Sequence, residues 1–424
     1  MNAAANSDKK NSVILFLLWP FFALIYALRN YRSVWAKDII WLFVVFYGFT
    51  FTIHNVGEDT IDANRYRDKF IEMSKHDLTF DNVTAEFYDE ESQVLDVMES
   101  IILFLVSRIT SNYHILFAVF GLILGFFYSR NIWYLIEKAG FKISPGNTPV
   151  IITFAMIVGF WELNGFRFWS ATHIFFFGAL PYLYEGRKSR LLFCVLSIFM
   201  HFAYAMPLII LGIYLVTGRR TNIFFFLFIA TFFVKELSLS QAGDFLSNNL
   251  PKILLPRVKG YTNEDYAQIL VDKNLVANWY AVFYREILKW IIVAFIVLIY
   301  FRGKKFINRY KGFENLFSFT LLLYSVSNIF AMIPSGGRFI ILSNLFSVAI
   351  IFFYIQFAPR GKAMKRMVTL ALPGLALYSI VSIRLAFDTM GFLSVFGNPL
   401  LTLFLDVNVT LIEIVKGLLG FSQV

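Results

Sequence analysis

An all-α, polytopic integral membrane protein is the fold class this sequence predicts, and three observations predict it. Of 424 residues, 58% are hydrophobic and 16% charged, against roughly 45–50% and about 25% in a soluble domain, so much of the apolar surface must face lipid. Apolar runs at residues 39–53, 115–136, 291–301 and 339–357 recur along the chain, many close to the ~20 residues that cross a bilayer core as a helix. They lack the apolar–polar alternation of a membrane β-barrel. Third, Lys and Arg fall in short clusters between the runs, the pattern that sets membrane orientation. The net charge of +10 therefore belongs to basic loops, and nucleic acid is not an implied partner. The same balance excludes a soluble enzyme.

Taken in order, Lys9 and Lys10 precede an apolar stretch with no small-residue cleavage site behind it, so a retained first helix is expected and not a signal peptide. Arg29, Arg32 and Lys37 lie between the first two helices, and Arg187, Lys188 and Arg190 follow a helix over residues 168–184. Clusters at Arg219 and Arg220, at residues 302–311 and at residues 360–366 extend the series. These loops are expected on the cytoplasmic side and the alternate ones outside. Residues 54–94 then form an external acidic segment and residues 236–278 a second external loop.

Residues 95–108 are amphipathic and interrupted by Asp96, Glu99 and Arg108, which fits an interfacial or re-entrant helix and not a span. Residues 191–216 carry no charge but hold His201, Pro207 and Gly212. They read as two short helices meeting near His201 or one broken pair, and such breaks need protein or a cavity to cover the freed backbone. The sum is about 12–14 spans in one membrane domain over residues 1–424, with the Asn398–Pro399 tail outside or at the interface. The lone cysteine, Cys194, lies in an apolar run; no intrachain disulfide and no Cys-type metal site is possible.

Candidate chemistry starts from an internal echo. Gly165, Phe166, Arg167 and Phe168, and again Gly336, Gly337, Arg338 and Phe339, each open an apolar run on the same expected face. A helix start offers free amides and partial positive charge, so an added guanidinium suits a phosphate-bearing ligand; the plainer role is an arginine snorkelling to headgroups. Ionisable residues inside apolar runs cost about 2.5–3.5 kcal/mol at helix centre and call for a partner or a role. Glu162, with Asn164 beside it, is either a general base or the ion-pair partner of Arg167. Arg285 and Lys289, at i,i+4, grip a diphosphate or form a self-paired charged face with Glu286.

His201, at the expected break, is a candidate donor to a sugar hydroxyl or phosphate, whereas His173 reads as a satisfied core residue. Asp59 and Asp62 in the first external segment are candidate bases for a sugar hydroxyl, candidate ligands of a divalent ion, or a solvated acidic loop. The histidines show no metal-ligand spacing, and phosphate-loop, zinc-protease and serine-elbow motifs are missing, so no cofactor and no metal are called for.

Together these residues resemble the EpsG-type and Wzy-type family of bacterial exopolysaccharide and O-antigen polymerases. The family's Gly-x-Asp…Tyr…Phe segment after an early helix is matched by Gly57, Asp59, Tyr66 and Phe70, though Glu58, Asp59 and Asp62 all stand near its single Asp. Its Asn-x-x-Arg-x-x-x-Ala element is matched by Asn164, Arg167 and Ala171. His201, Gly337 with Arg338, and Asn398 with Pro399 match its later elements. The resemblance implies a GT-C-like membrane fold in the bacterial inner membrane with a periplasmic site, acting on undecaprenyl-diphosphate-linked oligosaccharide. It implies a chain-length regulator and membrane lipid as partners. Arg167 and Arg338 would then neutralise the diphosphate, with Arg285 or Lys289 in support; Glu162, Asp59 or Asp62 would serve as base; Asn164, His201 and Tyr66 would hold substrate. Rival readings are a lipid-linked oligosaccharide flippase, which should show corresponding broken helices in two halves, an O-antigen ligase and, third, a membrane O-acetyltransferase.

Overall fold

A computed structural model describes residues 2–53, 62–75, 96–234, 278–333, 335–359, 361–405 and 407–420. The early helices are α1 (Asn2–Leu18), α2 (Pro20–Arg29), α3 (Ala36–Phe49), α4 (Asp62–Lys75), α5 (Val97–Ser107) and α6 (Tyr113–Lys138). In the middle lie α7 (Thr148–Ile157), a 3₁₀ turn Glu162–Gly165, α8 (Phe166–Glu185), α9 (Leu191–Met200), α10 (Ala205–Thr217) and α11 (Thr221–Ala230). After residue 278 come α12 (Trp279–Arg302), α13 (Lys304–Arg309), α14 (Lys311–Phe330), α15 (Arg338–Phe357), α16 (Lys362–Ala386), α17 (Phe392–Phe396) and α18 (Leu411–Leu418). Among the described residues the only β pairing is the isolated bridge between Gly391 and Thr410.

Three of these helices, α6, α15 and α16, are long and apolar enough to cross a membrane. A fourth qualifies if the segments Pro145–Ile157 and Glu162–Glu185, bent by 54°, count as one broken span. One run expected to cross is shorter as a helix, and two stretches expected as short or broken helices are so. The run at residues 39–53 is helical only to Phe49, in the fourteen-residue α3, because Thr50 leaves helical geometry. Residues 191–216 become α9 and α10, of ten and thirteen residues, parted at His201. The eleven residues of α5 rise about 16 Å, short of the ~30 Å hydrocarbon core. By contrast α12 has 24 residues, but Arg285, Glu286 and Lys289 crowd its first half.

Ion pairs tie helix ends together on the side of the basic clusters. There Lys37 meets Glu137 at 2.9 Å, Arg130 meets Asp38 at 2.5 Å and Arg219 meets Glu314 at 2.7 Å. Glu185 takes both Lys138 and Arg187. This is the end of the basic clusters. Packing between the ends relies on close backbone approach in the α3–α6 seam, where a Cβ at Gly48 would overlap the Phe117 carbonyl and one at Gly121 that of Val44. Small residues at such seams let helices meet where lipid offers no hydrophobic drive. One continuous apolar core then extends from Ala23 to Met390.

Cys194 is buried where α9 meets α8, its thiol 3.8 Å from the Phe175 carbonyl. His173 is likewise internal: Nε2 lies 3.1 Å from the Val158 carbonyl and Nδ1 takes the Asn131 amide at 3.2 Å, which accounts for both ring nitrogens.

Candidate functional site

At the end of the bundle opposite the basic clusters lies a cavity of about 850 Å³, within the range of small-molecule sites. It is built by the end of α7, the 3₁₀ turn, the first turn of α8, the first halves of α12 and α15, the turn between α14 and α15, and the last turns of α16. It brings together Glu162, Arg285, Glu286, Lys289 and Arg338 from three distant stretches of sequence, with Trp161, Trp169, Tyr284 and Tyr378 as aromatic walls.

The charges in it are unequal in freedom. Lys289 lies 3.4 Å from Glu286 on its own helix, so these two largely offset each other. Arg285 donates from Nε to the Tyr284 hydroxyl at 2.8 Å and attracts Glu162 across the cavity. Arg338 is exposed, its guanidinium 5.6 Å from the centre of the Phe168 ring. Among the described residues no hydrogen bond or ion pair engages the Glu162 carboxylate or the Arg338 guanidinium. The cavity therefore holds a carboxylate attracted by Arg285, with Arg338 and the Glu286-paired Lys289 as further cations in its lining.

Arg167 stands differently. Its Nη1 lies 3.0 Å from both Asp96 Oδ2 and Glu99 Oε2, and its Nε donates to the Tyr66 hydroxyl at 3.0 Å. Asp96 is 3% exposed and Arg167 19%. Two carboxylates and a tyrosine hydroxyl already engage this guanidinium, which leaves little of it open to a diphosphate. Arg167, expected as a phosphate ligand, is held within the protein, and of the two readings of Glu162 the pairing with Arg167 is not formed: Glu162 lines the cavity from the 3₁₀ turn, while Arg167, the second residue of α8, meets Tyr66 of α4 and Glu99 of α5. Burial pushes the Tyr66 hydroxyl up to about 12, with Arg167 pulling the other way, so it remains a neutral acceptor for the arginine.

Asp96 does a second job. Its Oδ1 accepts the Phe202 N–H at 2.8 Å, one of the amides freed by the break between α9 and α10. At that break His201 adopts an extended backbone, φ −153° and ψ 118°, and its Nδ1 accepts from the Ala203 N–H at 3.2 Å while lying 3.9 Å from Asp96. His201 is therefore a helix-capping residue beside the Arg167 cluster and does not line the cavity. Its Nε2 carries the proton in the tautomer that this bond requires.

The first external segment meets the same cluster. On α4 the buried residues Ala63, Tyr66, Phe70 and Met73 form one stripe, and the Ala63 N–H donates to Asn164 Oδ1 at 3.0 Å. Asn164 so serves as an anchor for the start of α4, a position where a helix has orphan amides. Asp62 is paired with Arg65 within α4. Asp59 lies outside the described residues. Asn398 bonds the carbonyls of Leu17 and Leu18 at 2.7 and 3.0 Å, fastening the C-terminal segment to α1.

The two Gly-x-Arg-Phe copies touch. Phe168 and Phe339 are 5.8 Å apart, edge to face, and Arg338 stacks on the same Phe168 that packs against His201 at 5.2 Å. Phe168 is thus shared between the Arg167–Asp96–Glu99 cluster and the mouth of the cavity. Sequence reasoning singled out neither Phe168 nor the pairing of Asp96 and Glu99 with Arg167; the available signal was two carboxylates spaced i,i+3 in an apolar run, which demand a cation somewhere. Among the described residues no group of three His, Cys, Asp or Glu side chains is placed to hold a metal ion.

A cavity with basic side chains, a carboxylate and aromatic walls can bind an anionic ligand and accept a proton from it. Comparison with protein-family models, with curated proteins and with solved structures finds no match to this chain.

Proposed function

We propose that this chain is a membrane glycosyltransferase of the bacterial inner membrane that polymerises oligosaccharide repeats carried on undecaprenyl diphosphate, with its site facing the periplasm. The observation that carries the reading is the cavity itself: the Glu162 carboxylate, attracted by Arg285, shares it with Arg338 and Lys289 at the end of the bundle opposite the basic clusters. Basic loops favour the cytoplasmic side, which supports an outward-facing cavity. The finer elements of the sequence reading, with about 12–14 spans and a GT-C-like arrangement, belong to this proposal.

The chemistry follows from the groups present. A terminal hydroxyl of one lipid-linked repeat attacks the anomeric carbon of the growing glycan; the new C–O bond forms as the bond to the lipid diphosphate breaks. Glu162 accepts the hydroxyl proton, as general bases do over hydrogen-bond distances. Arg285 and Arg338, with Lys289 released from Glu286, stabilise the negative charge gathering on the departing diphosphate, the kind of term that dominates many active sites. Trp161 and Trp169 offer flat faces for sugar rings. Arg167 acts through others: held by Asp96, Glu99 and Tyr66, it fixes the start of α8 and the position of Phe168 under Arg338, and is a positioning residue.

The testing experiment is a gel of surface polysaccharide from a strain lacking this protein, with and without the wild-type copy. Single repeats capped on their normal acceptor, with a ladder only on complementation, support polymerisation. Loss of even the single repeat, with lipid-linked repeats held inside, refutes it in favour of a flippase.

A further inference from the structure

Residues 391–420 pose a separate question. Their elements are α17, a 3₁₀ turn Leu401–Phe404 and α18, of five, four and eight residues. None approaches the length of a span. Yet Phe396, Leu400, Leu401, Leu403, Phe404 and Leu418 are exposed, Phe404 at 87% and Leu418 at 82%, and the stretch has only three charged residues, Asp406, Glu413 and Lys416. Water is a poor neighbour for such a surface.

The segment is also firmly held. Phe392 N–H bonds the Val409 carbonyl at 2.8 Å and Leu411 N–H that of Met390 at 2.9 Å. Trp19 Nε1 donates to the Val395 carbonyl at 2.5 Å and Thr50 Oγ1 meets Ser394 Oγ at 2.7 Å. Helix α18 begins with a reciprocal capping box between Thr410 and Glu413, which closes its first amides. A surface fixed this way is built to present its apolar side chains.

Position decides what covers them. The contacts to Trp19 and Thr50 put the segment level with the start of α2 and the end of α3, where a tryptophan suits the membrane–water boundary. Its exposed side chains continue the exposed apolar surface of Ile14, Leu18, Trp19 and Phe22 on α1 and α2, the outside of a chain that carries candidate spans. From these observations we infer that residues 391–420 form a collar lying in the plane of the bilayer surface, with lipid at the headgroup–acyl boundary as its partner. It sits at the cavity end of the bundle, since α16 lines the cavity at Leu385 and leads directly into it. Short amphipathic helices bind that boundary through their apolar side. The inference does not depend on the proposed polymerase activity.

The only cysteine, Cys194, is buried, so single nitroxide labels can be read in a Cys194→Ser background. The full chain carrying Leu401→Cys, Phe404→Cys, Leu418→Cys or, as a control, Lys416→Cys is labelled, placed in nanodiscs of phosphatidylethanolamine and phosphatidylglycerol, and measured by power saturation with oxygen and with a water-soluble nickel chelate. Only samples eluting as single species are read, with Leu403→Cys replacing any that fails. The collar requires the three apolar sites to relax more with oxygen than with nickel, at one common depth, and Lys416, exposed on α18, to do the reverse. Stronger nickel relaxation at Phe404, protection from both agents, or a depth rising steadily from residue 401 to 418 each overturn it, in favour of a water-facing surface, a protein partner or an inserted span.

Discussion

The two arginines of the repeated motif should respond oppositely when removed. Arg167→Ala strips the counter-ion from Asp96 and Glu99, which stay 3% and 12% exposed with like charges side by side. Breaking a buried pair in this way costs about 3–5 kcal/mol, and the residual exposure favours the lower part of that range. Arg338→Ala removes an exposed guanidinium whose described contact is the Phe168 ring, worth about 0.5–1 kcal/mol at such a site. The gap, roughly 2–4 kcal/mol from those two figures, is measurable as unfolding free energy by dodecyl sulfate titration in mixed micelles. Adding Asp96→Asn to Arg167→Ala should recover part of the loss, because the amide oxygen still accepts the Phe202 N–H while one unpaired charge is gone. Equal stability of the two single variants, or no gain in the double variant, would refute the assignment of Arg167 to an internal ion cluster. Under the proposed function both variants lose the polymer ladder, Arg338→Ala as a well-folded protein.

Two further outcomes follow from other parts of the fold. Glu162→Gln should leave stability unchanged yet lower polymer formation about 10²–10⁴-fold, the usual worth of a general base, as read from ladder synthesis by purified protein on lipid-linked repeats; a normal rate removes Glu162 from the mechanism. Gly48→Leu should lower thermal stability by about 1–3 kcal/mol through overpacking, since even a Cβ there meets the Phe117 backbone, and an unchanged melting curve in detergent would contradict the α3–α6 seam.

The sequence shows its helix starts more clearly than the partners of its charges. A glycine followed by an unbroken apolar run is a local signal, and α8 and α15 begin at Phe166 and Arg338, on the two copies of the motif. The break at His201 is local too, because no helix continues smoothly through the extended backbone there. Spans are harder to read: a hydropathy run does not reveal that Thr50 ends α3 or that α12 keeps three charged residues at a cavity. Hardest are the long-range pairings. Arg167 lies 71 residues from Asp96, and nothing local chooses among Glu162, Asp96 and Glu99 as its partner. The choice is made by the 3₁₀ turn at residues 162–165, which rotates Glu162 away from the side that Arg167 occupies.

Similar local sequence at the two copies therefore acquires different chemistry from its surroundings. Arg167 opens a helix that α4, α5 and the α9–α10 break enclose, so its charge is consumed in holding four chain segments together. Arg338 opens a helix behind an exposed turn, next to the first half of α12, so its charge stays available. Breaks in helices and charges in apolar runs are each costly in a membrane, and here they fall at one end of the bundle, where each compensates another: Asp96 serves both the arginine and the orphan amide after His201. Phe168 joins the consumed arginine to the available one. Under the proposed function, a rigid internal cluster that sets the floor under an available cation would hold the departing diphosphate in place without itself competing for it.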